Sequence, residues 1–434
     1  MRFSLTALIA LSVFLLTSCE KEPVPNPPAN PGFVLHINNE FGPLEAEYAV
    51  FLSDAQGKIR AYRAVAGQDT ARLTIPEAAT TDRFDCTITR ITTIDAPGSG
   101  IKDTSITLTT YTSLPSGETV NLRNWNYQQT TDLFLSFAGM TTFDSIIVPD
   151  GLTFVRPQAA NNYSGHYQVL HTGNIWFRIL ADGDPHWRYL TFNNVSNPTL
   201  TAPIQVGQLP LTFVPPTQVT LPFSAAWQYK LDGVIDSSKR QFLPLGDLRR
   251  APGGAVPVYN TLSMFEPVLT DDFGPAPRPY SSFRLRTSGE DGSPGGYNYT
   301  SDRFYKKLPA SLPTPDFDLA PTILSDKSLV AVQCAGQFEV LALTRVRNGT
   351  PNITWEVYTR PANGTVTYGL PDVPAALGSR FPALKNYDFG DLVRVRAERY
   401  EQSSGYESII HQRLLNADPL WQAKAGYLGR EEVY

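Results

Sequence analysis

The chain is poor in cysteine, with three in 434 residues. After Cys19 only Cys86 and Cys334 remain, so a disulfide-stapled scaffold is excluded and at most one bridge can form. Both lie in strand-like runs, Phe84-Asp85-Cys86-Thr87-Ile88 and Val330-Ala331-Val332-Gln333-Cys334, and two buried free thiols are the expected state. Charge is also scarce: charged residues make up 18%, the formal net charge is −5, and no Lys/Arg run exceeds two. That balance argues against nucleic-acid binding, which needs clustered cations to meet phosphates. No long apolar segment follows residue 16, so no helical membrane span is expected. The short patterns of nucleophile elbows, phosphate loops, HEXXH zinc sites and paired Cys-x-x-Cys are missing. No catalytic residue, cofactor or metal ligand is nominated, and a non-enzyme is expected.

Helical periodicity is nearly absent as well, and what replaces it is abundant. Thirty-six prolines and 31 glycines punctuate short runs rich in Val, Ile, Thr, Tyr and Phe, the mark of strands joined by turns. Tyr48–Leu52, the turn Ser53–Gly57 and Lys58–Tyr62 read as a β-hairpin whose glycine supplies a positive φ. Ala71–Ile75, Asp85–Ile91 and Ser105–Thr109 alternate with period two, which places one face on a core and one in water.

The N-terminus has its own pattern. Arg2 precedes an apolar run from Leu5 to Leu16, closed by Leu16-Thr17-Ser18-Cys19. The run is shorter than the about 20 residues a helical span needs, and it reads as a cleaved export signal. Leu-Thr-Ser-Cys at this place resembles the lipobox of bacterial lipoproteins. The resemblance implies lipid on Cys19, cleavage before it, and the membrane as a partner. Glu20-Lys21-Glu22 resembles the surface-export signal of Bacteroidota lipoproteins, which implies an outer-membrane protein at the cell surface, with a periplasmic face as the alternative. Pro23 to Pro31 then reads as a semi-rigid polyproline spacer. Asp69-Thr70-Ala71 and Asp144-Ser145-Ile146 are similar to the O-glycosylation acceptor of Bacteroidota exported proteins, which bears on compartment only.

The expected fold is all-β, with tandem β-sandwich domains after the signal and tether. The expected divisions are a signal at 1–19, a proline-rich linker at 20–32, sandwiches at 33–125, 126–245 and 322–434, and a loop-rich segment at 246–321. The first sandwich resembles the immunoglobulin-like modules that open many Bacteroidota surface lipoproteins. A degenerate repeat relates Gly165–Leu170, Trp187–Leu190, Leu209-Pro210 and Trp227–Leu231 to Gly336–Leu341, Trp355–Tyr358, Leu370-Pro371 and Leu392–Ala397; chance similarity is its rival.

Three candidate chemistries remain. His166, His171 and His186 cluster, but a five-residue offset on one strand sends His166 and His171 to opposite faces, so turn or surface histidines are the better reading. Asp182-Gly183-Asp184-Pro185-His186 has the alternating acids of a calcium loop but lacks its later glutamate, and an Asp-Gly turn explains it equally; Asp271-Asp272 is weaker still. Trp176, Trp187, Trp227 and Trp355 read as core, whereas Tyr280, Tyr297, Tyr299 and Tyr305 lie in or beside the loop-rich segment. Those four are candidate ligand-binding residues, as platforms for sugar rings or anchors for a protein, with packing onto their own domain as the competing role. The expected function is non-catalytic binding of a polysaccharide or protein partner. The alternatives are a purely structural or adhesive surface protein and a glycan hydrolase, which needs two facing carboxylates.

Overall fold

The computed structural model describes residues 32–39, 46–65, 70–95, 102–122, 131–138, 143–147, 154–155, 162–169, 173–181, 187–195, 204–205, 208, 211–212, 216–236, 241–248, 258–265, 282–291, 296–322, 329–362, 364–385, 392–403, 405–415 and 426–433. Cys19 and the tether, Asp182–His186, His171, Asp271-Asp272 and Tyr280 lie outside them, and the side chains of His166, Trp176 and Trp187 are likewise not described.

The chain is all-β with multiple sheets. Its first strands are β1 (Phe33–Asn38), β2 (Ala46–Ser53), β3 (Ile59–Val65), β4 (Thr70–Ile75), β5 (Phe84–Asp95), β6 (Lys102–Leu114) and β7 (Thr119–Asn121). Then come β8 (Thr131–Ala138), β9 (Phe143–Ile147), β10 (Phe154–Val155), β11 (Asn162–Val169), β12 (Gly173–Ala181), β13 (Trp187–Val195), β14 (Ile204–Gln205) and β15 (Leu211–Thr212). The long β16 (Pro216–Asp236) leads to β17 (Gln241–Leu248), β18 (Val258–Phe265), β19 (Ser282–Glu290), β20 (Asn298–Tyr305) and β21 (Asp318–Thr322). Last are β22 (Leu329–Ala335), β23 (Val340–Arg347), β24 (Asn352–Thr359), β25 (Gly364–Gly369), β26 (Leu392–Tyr400) and β27 (Tyr427–Val433). Short helices span Ala375–Arg380 and Tyr406–Leu414.

One large sheet dominates. Its order is β17-β16-β19-β20-β27-β26-β23-β24-β6-β5-β2-β3, with β18 also paired to β16. Segments from both ends of the chain therefore share a sheet: β6 and β24 run parallel, with Leu108 opposite Trp355. β27, from the last described residues, lies inside the sheet between β20 and β26.

Both faces of the sheet's central strands are buried. In β2, Ala49 and Phe51 belong to one apolar cluster, and Tyr48, Val50 and Leu52 to the other. In β23, Leu341 and Leu343 face the first cluster, while Val340 and Ala342 face the second. A strand covered on both sides has no polar face to show, so it reads as a continuous apolar run. Each fully buried side chain of this size contributes about 1.5–3 kcal/mol, so adjacent positions such as Phe51 and Leu52 stabilise two layers at once.

Two small sheets supply the covers. β4-β1-β7 puts Phe33, Leu35, Ile37, Leu73, Ile75 and Val120 on one face, joined by Tyr406, Ile409, Ile410 and Leu414 of the second helix. β21-β22-β25 puts Leu319, Val330, Val332 and Tyr368 on the other. The result is sandwich packing on both sides of a shared middle sheet, so the segments expected at 33–125 and 322–434 are bonded edge to edge. β8–β15 form two further sheets, β10-β9-β12-β13-β15 and β11-β8-β14.

The hairpin expected at Tyr48–Tyr62 is present as β2–β3, with Gly57 at φ +80°. Asp54 Oδ1 accepts from the backbone N–H groups of Gln56 and Lys58, which closes the turn. β4 alternates exposed and buried along its whole length. Trp227 and Trp355 are core, at 2% and 1% exposure. Cys86 and Cys334 are buried free thiols in opposite clusters. β12 and β13 pair antiparallel on either side of Asp182–His186.

Two expectations differ from the structure. Residues 246–321 contain β18, β19 and β20, of which β19 and β20 are internal strands of the large sheet. In Ser282–Glu290 the residues Arg284 and Arg286 interrupt the apolar pattern, yet Arg284 is buried because Asp302 of β20 neutralises it. The two copies of the suspected repeat also pair differently. β11 joins β8 and β13 joins β12 and β15, whereas β23 and β24 pair with each other.

Candidate functional site

The three described tyrosines among those nominated from sequence, Tyr297, Tyr299 and Tyr305, are occupied by packing. Tyr299 sits on β20 and not on a loop, and it is fully buried. Its ring meets Trp227 edge-on at 5.1 Å, and its hydroxyl donates to the Pro313 carbonyl at 3.0 Å. Burial raises its hydroxyl pKa well above the ordinary value. Gly289, opposite Tyr299 in register, makes room for this arrangement: a Cβ there would lie 2.8 Å from the Trp227 ring. Tyr297 is half-buried, edge-on to Phe223 at 5.2 Å, and Arg430 covers its ring at 4.3 Å. Tyr305 pairs with Phe283 across the strands and packs on the same core. Of the three roles open to these rings, self-packing is the one Tyr299 performs, and the described three make no exposed platform.

The buried charges are equally committed. Glu398, 1% exposed, accepts from Arg396 Nε at 2.8 Å, Arg413 Nη2 at 2.6 Å and the Tyr400 hydroxyl at 3.0 Å. Burial alone would raise its pKa, but Arg413 and Arg396 outweigh that and hold the carboxyl below its ordinary value. Asp302 receives a bidentate grip from Arg284, at 2.8 and 2.5 Å. Asp232 receives Arg286 at 2.6 Å. Such pairing holds these side chains in place by charge-assisted hydrogen bonds.

Asp85 is the exception. Burial pushes its pKa up to about 6, against the pull of the Ser113 N–H and the Tyr368 hydroxyl. Those two donors, at 2.9 and 3.2 Å, tie β5 to the irregular end of β6 and to β25, a structural bridge between layers.

A surface depression remains, and no sequence signal marked it. It has a volume of about 610 Å³, within the usual range for ligand sites. The β2–β3 hairpin contributes Lys58, Ile59 and Tyr62; the segment after β25 contributes Asp372 to Ala376 and Lys385. The walls are stapled together. The Asp372 N–H donates to the Gly57 carbonyl at 2.8 Å, and a Cβ on Gly57 would stand 3.2 Å from Pro371 Cα. Glycine at 57 thus serves both the turn and the close approach. On the other wall Gly378 lets the Lys385 stem lie flat, since a Cβ there would be 2.7 Å from Lys385 Cγ. Tyr62 packs on the core from below. Burial raises its hydroxyl pKa, and the neighbouring Arg380 pulls it part of the way back. Arg380 itself is held by Glu47 through a bidentate pair. Asp372 is the one carboxylate among the lining residues, so the depression lacks the facing pair that glycoside hydrolysis requires.

Among the described residues no group of three or more His, Cys, Asp or Glu is placed to hold a metal ion. No described helix is long and apolar enough to cross a membrane. Comparisons with known proteins give no family: no family model matches the chain, and no curated protein matches it. Among solved structures, the chain is similar to the crystal structure of a tetra-tandem repeat in the extending region of a large adhesion protein. That likeness has 12% identity, covers 84% of this chain and 94% of the other, and has a TM-score of 0.12, at which it carries no argument.

Proposed function

We propose that the chain is an exported, lipid-anchored protein that binds a polysaccharide or a protein partner at the cell surface without transforming it. The observation that carries this reading is the depression between the β2–β3 hairpin and the segment after β25. It presents two lysines, a tyrosine and a single carboxylate in a rigid frame. That set can hold a polar ligand by hydrogen bonds and charge, but it offers no paired acid and base. The commitment of Glu398, Asp302 and Asp232 to arginines supports the same view. The anchor rests on the lipobox at Cys19.

Two measurements test the reading. The full chain is exposed to a polysaccharide panel, with binding followed by tryptophan fluorescence and products by mass spectrometry. Saturable binding without products is expected, and released oligosaccharides would overturn the non-catalytic assignment. Cell fractionation of Cys19→Ala is expected to move the protein out of the membrane fraction; unchanged retention would overturn the anchor.

A further inference from the structure

We infer that the depression selects an acidic saccharide, a sugar chain carrying carboxylate or sulfate groups. The inference rests on the binding reading above and names the ligand class of that same site. Lys58 and Lys385 approach from opposite walls, and neither ammonium has an ion-pair partner among the described residues. Near the depression the arginines are answered, since Arg60 meets Asp54 and Arg380 meets Glu47. Two unanswered ammonium groups on one concavity, in a chain of net charge −5, form a local positive site on an acidic protein. Charge complementarity therefore favours an anion.

Asp372 decides what kind of anion. A run of carboxylates with no hydroxyl donors, as in an acidic peptide, would place like charge against it and offer it no hydrogen bond. A sugar ring meets both demands, because its carboxylate or sulfate reaches the lysines while its hydroxyls donate to Asp372. The apolar side of such a ring has a partner in the wall of Ile59, Tyr62, Val373 and Pro374. The walls are pre-formed, since Gly57 and Asp372 are already bonded, so binding orders little and loses little affinity to reorganisation.

The test is a titration of the full-length chain in detergent with polygalacturonate, dextran and polyglutamate at low and high salt. Polygalacturonate is expected to bind at least roughly tenfold more tightly than either of the others, and to weaken with salt. Lys58→Ala with Lys385→Ala is expected to lower its affinity by about tenfold or more, as loss of charge-assisted hydrogen bonds does, and to flatten the salt dependence. The same variant should keep its melting temperature, which separates lost binding from lost fold. Asp372→Asn is expected to narrow the gap between polygalacturonate and polyglutamate. Equal binding of polyglutamate to the native chain would show a charge site only and overturn the inference. Dextran binding that ignores the lysine substitutions would overturn it too, while leaving the binding reading in place. Silence toward all three polymers would overturn the inference, and silence across the wider panel as well would remove the polysaccharide arm of the proposed function.

Discussion

The large sheet has two halves built on different physics. Around β2, β5, β6, β23 and β24 both faces are apolar, and alternate side chains enter two separate cores. Around β16, β19, β20, β26 and β27 one face is apolar, while the other carries the cross-strand pairs Arg284–Asp302, Arg286–Asp232 and Arg396–Glu431, with Glu398 held by Arg396 of its own strand and by Arg413 of the second helix. The first half is held by area removed from water. The second is held in register by charges that tolerate burial only while paired. The same degree of burial therefore has different consequences when a residue is removed.

Glu398 should show the largest effect. Its carboxylate accepts from Arg396, Arg413 and Tyr400 and is almost fully buried. Glu398→Ala removes the near counter-charge of two guanidinium groups at once, leaving Arg396 its longer contact with Glu431, and an expected loss of about 4–5 kcal/mol follows. Denaturant unfolding checks it. Trp355→Ala in the apolar half should cost about 3–5 kcal/mol by leaving a cavity, despite the much larger side chain removed. A Glu398→Ala cost below 1 kcal/mol would erase the distinction between the halves.

Arg284 and Asp302 sharpen the comparison. Asp302→Leu alone should destabilise by about 3 kcal/mol, because it strips the carboxylate that Arg284 grips at two points. Adding Arg284→Met should recover most of that loss, since hydrophobic replacement of a buried pair is often near neutral. A double variant no better than the single would show that other bonds of Arg284 carry its stabilisation.

The halves also differ in how legible they were. Strands of the first half and of its cover announce themselves: Tyr48–Leu52 is a continuous apolar run and Ala71–Ile75, in the covering sheet, alternates cleanly, so hairpin, strands and the core Trp355 follow from pattern alone. In the second half Arg284, Arg286 and Asp302 break the alternation, and the segment resembles loop. Tyr299 falls in the segment that reads as loop for the same reason, a lack of periodicity, and Gly289 opposite it is what lets its ring pack against the Trp227 core. The depression could not be read at all. Lys58 and Lys385 are more than 300 positions apart, and contacts such as the bond between Gly57 and Asp372 and the Glu47–Arg380 pair, none of them marked in the sequence, bring their segments together.

Asp85 offers a smaller effect of opposite sign, within the apolar half. Its pKa rises from 3.8 to about 6 on folding, chiefly by burial. The folded state therefore binds the proton more tightly than the unfolded chain, so this group's stabilisation is fully present below about pH 4 and is lost as pH climbs through about 6. A shift of this size corresponds to about 2–3 kcal/mol. Asp85→Asn imitates the neutral form and still offers an oxygen to the Ser113 N–H. It should raise stability at pH 7.5 by up to about 2 kcal/mol and flatten the pH dependence between 4 and 6. A variant that is less stable at pH 7.5 would show that the charged carboxylate is favoured in place.

The smallest effect belongs to Arg380 and Glu47, at the rim of the depression. The pair is bidentate, but its side chains are 51% and 61% exposed. Water screens the attraction, so Arg380→Ala should cost less than about 1 kcal/mol, in contrast to the buried pairs of the other half. Its electrostatic mark should be clearer than its effect on stability. Arg380 lowers the Tyr62 pKa against the larger upward push of burial. Removing the guanidinium leaves burial unopposed, so the Tyr62 hydroxyl should ionise at higher pH in Arg380→Ala than in the native chain. Ultraviolet titration of the two proteins, with Tyr62→Phe to assign the transition, reads that shift directly. A Tyr62 transition that moves down, or stays where it was, would mean that Arg380 is neutralised by Glu47 before its field reaches the depression, and that Lys58, Lys385 and Asp372 set the local charge without it.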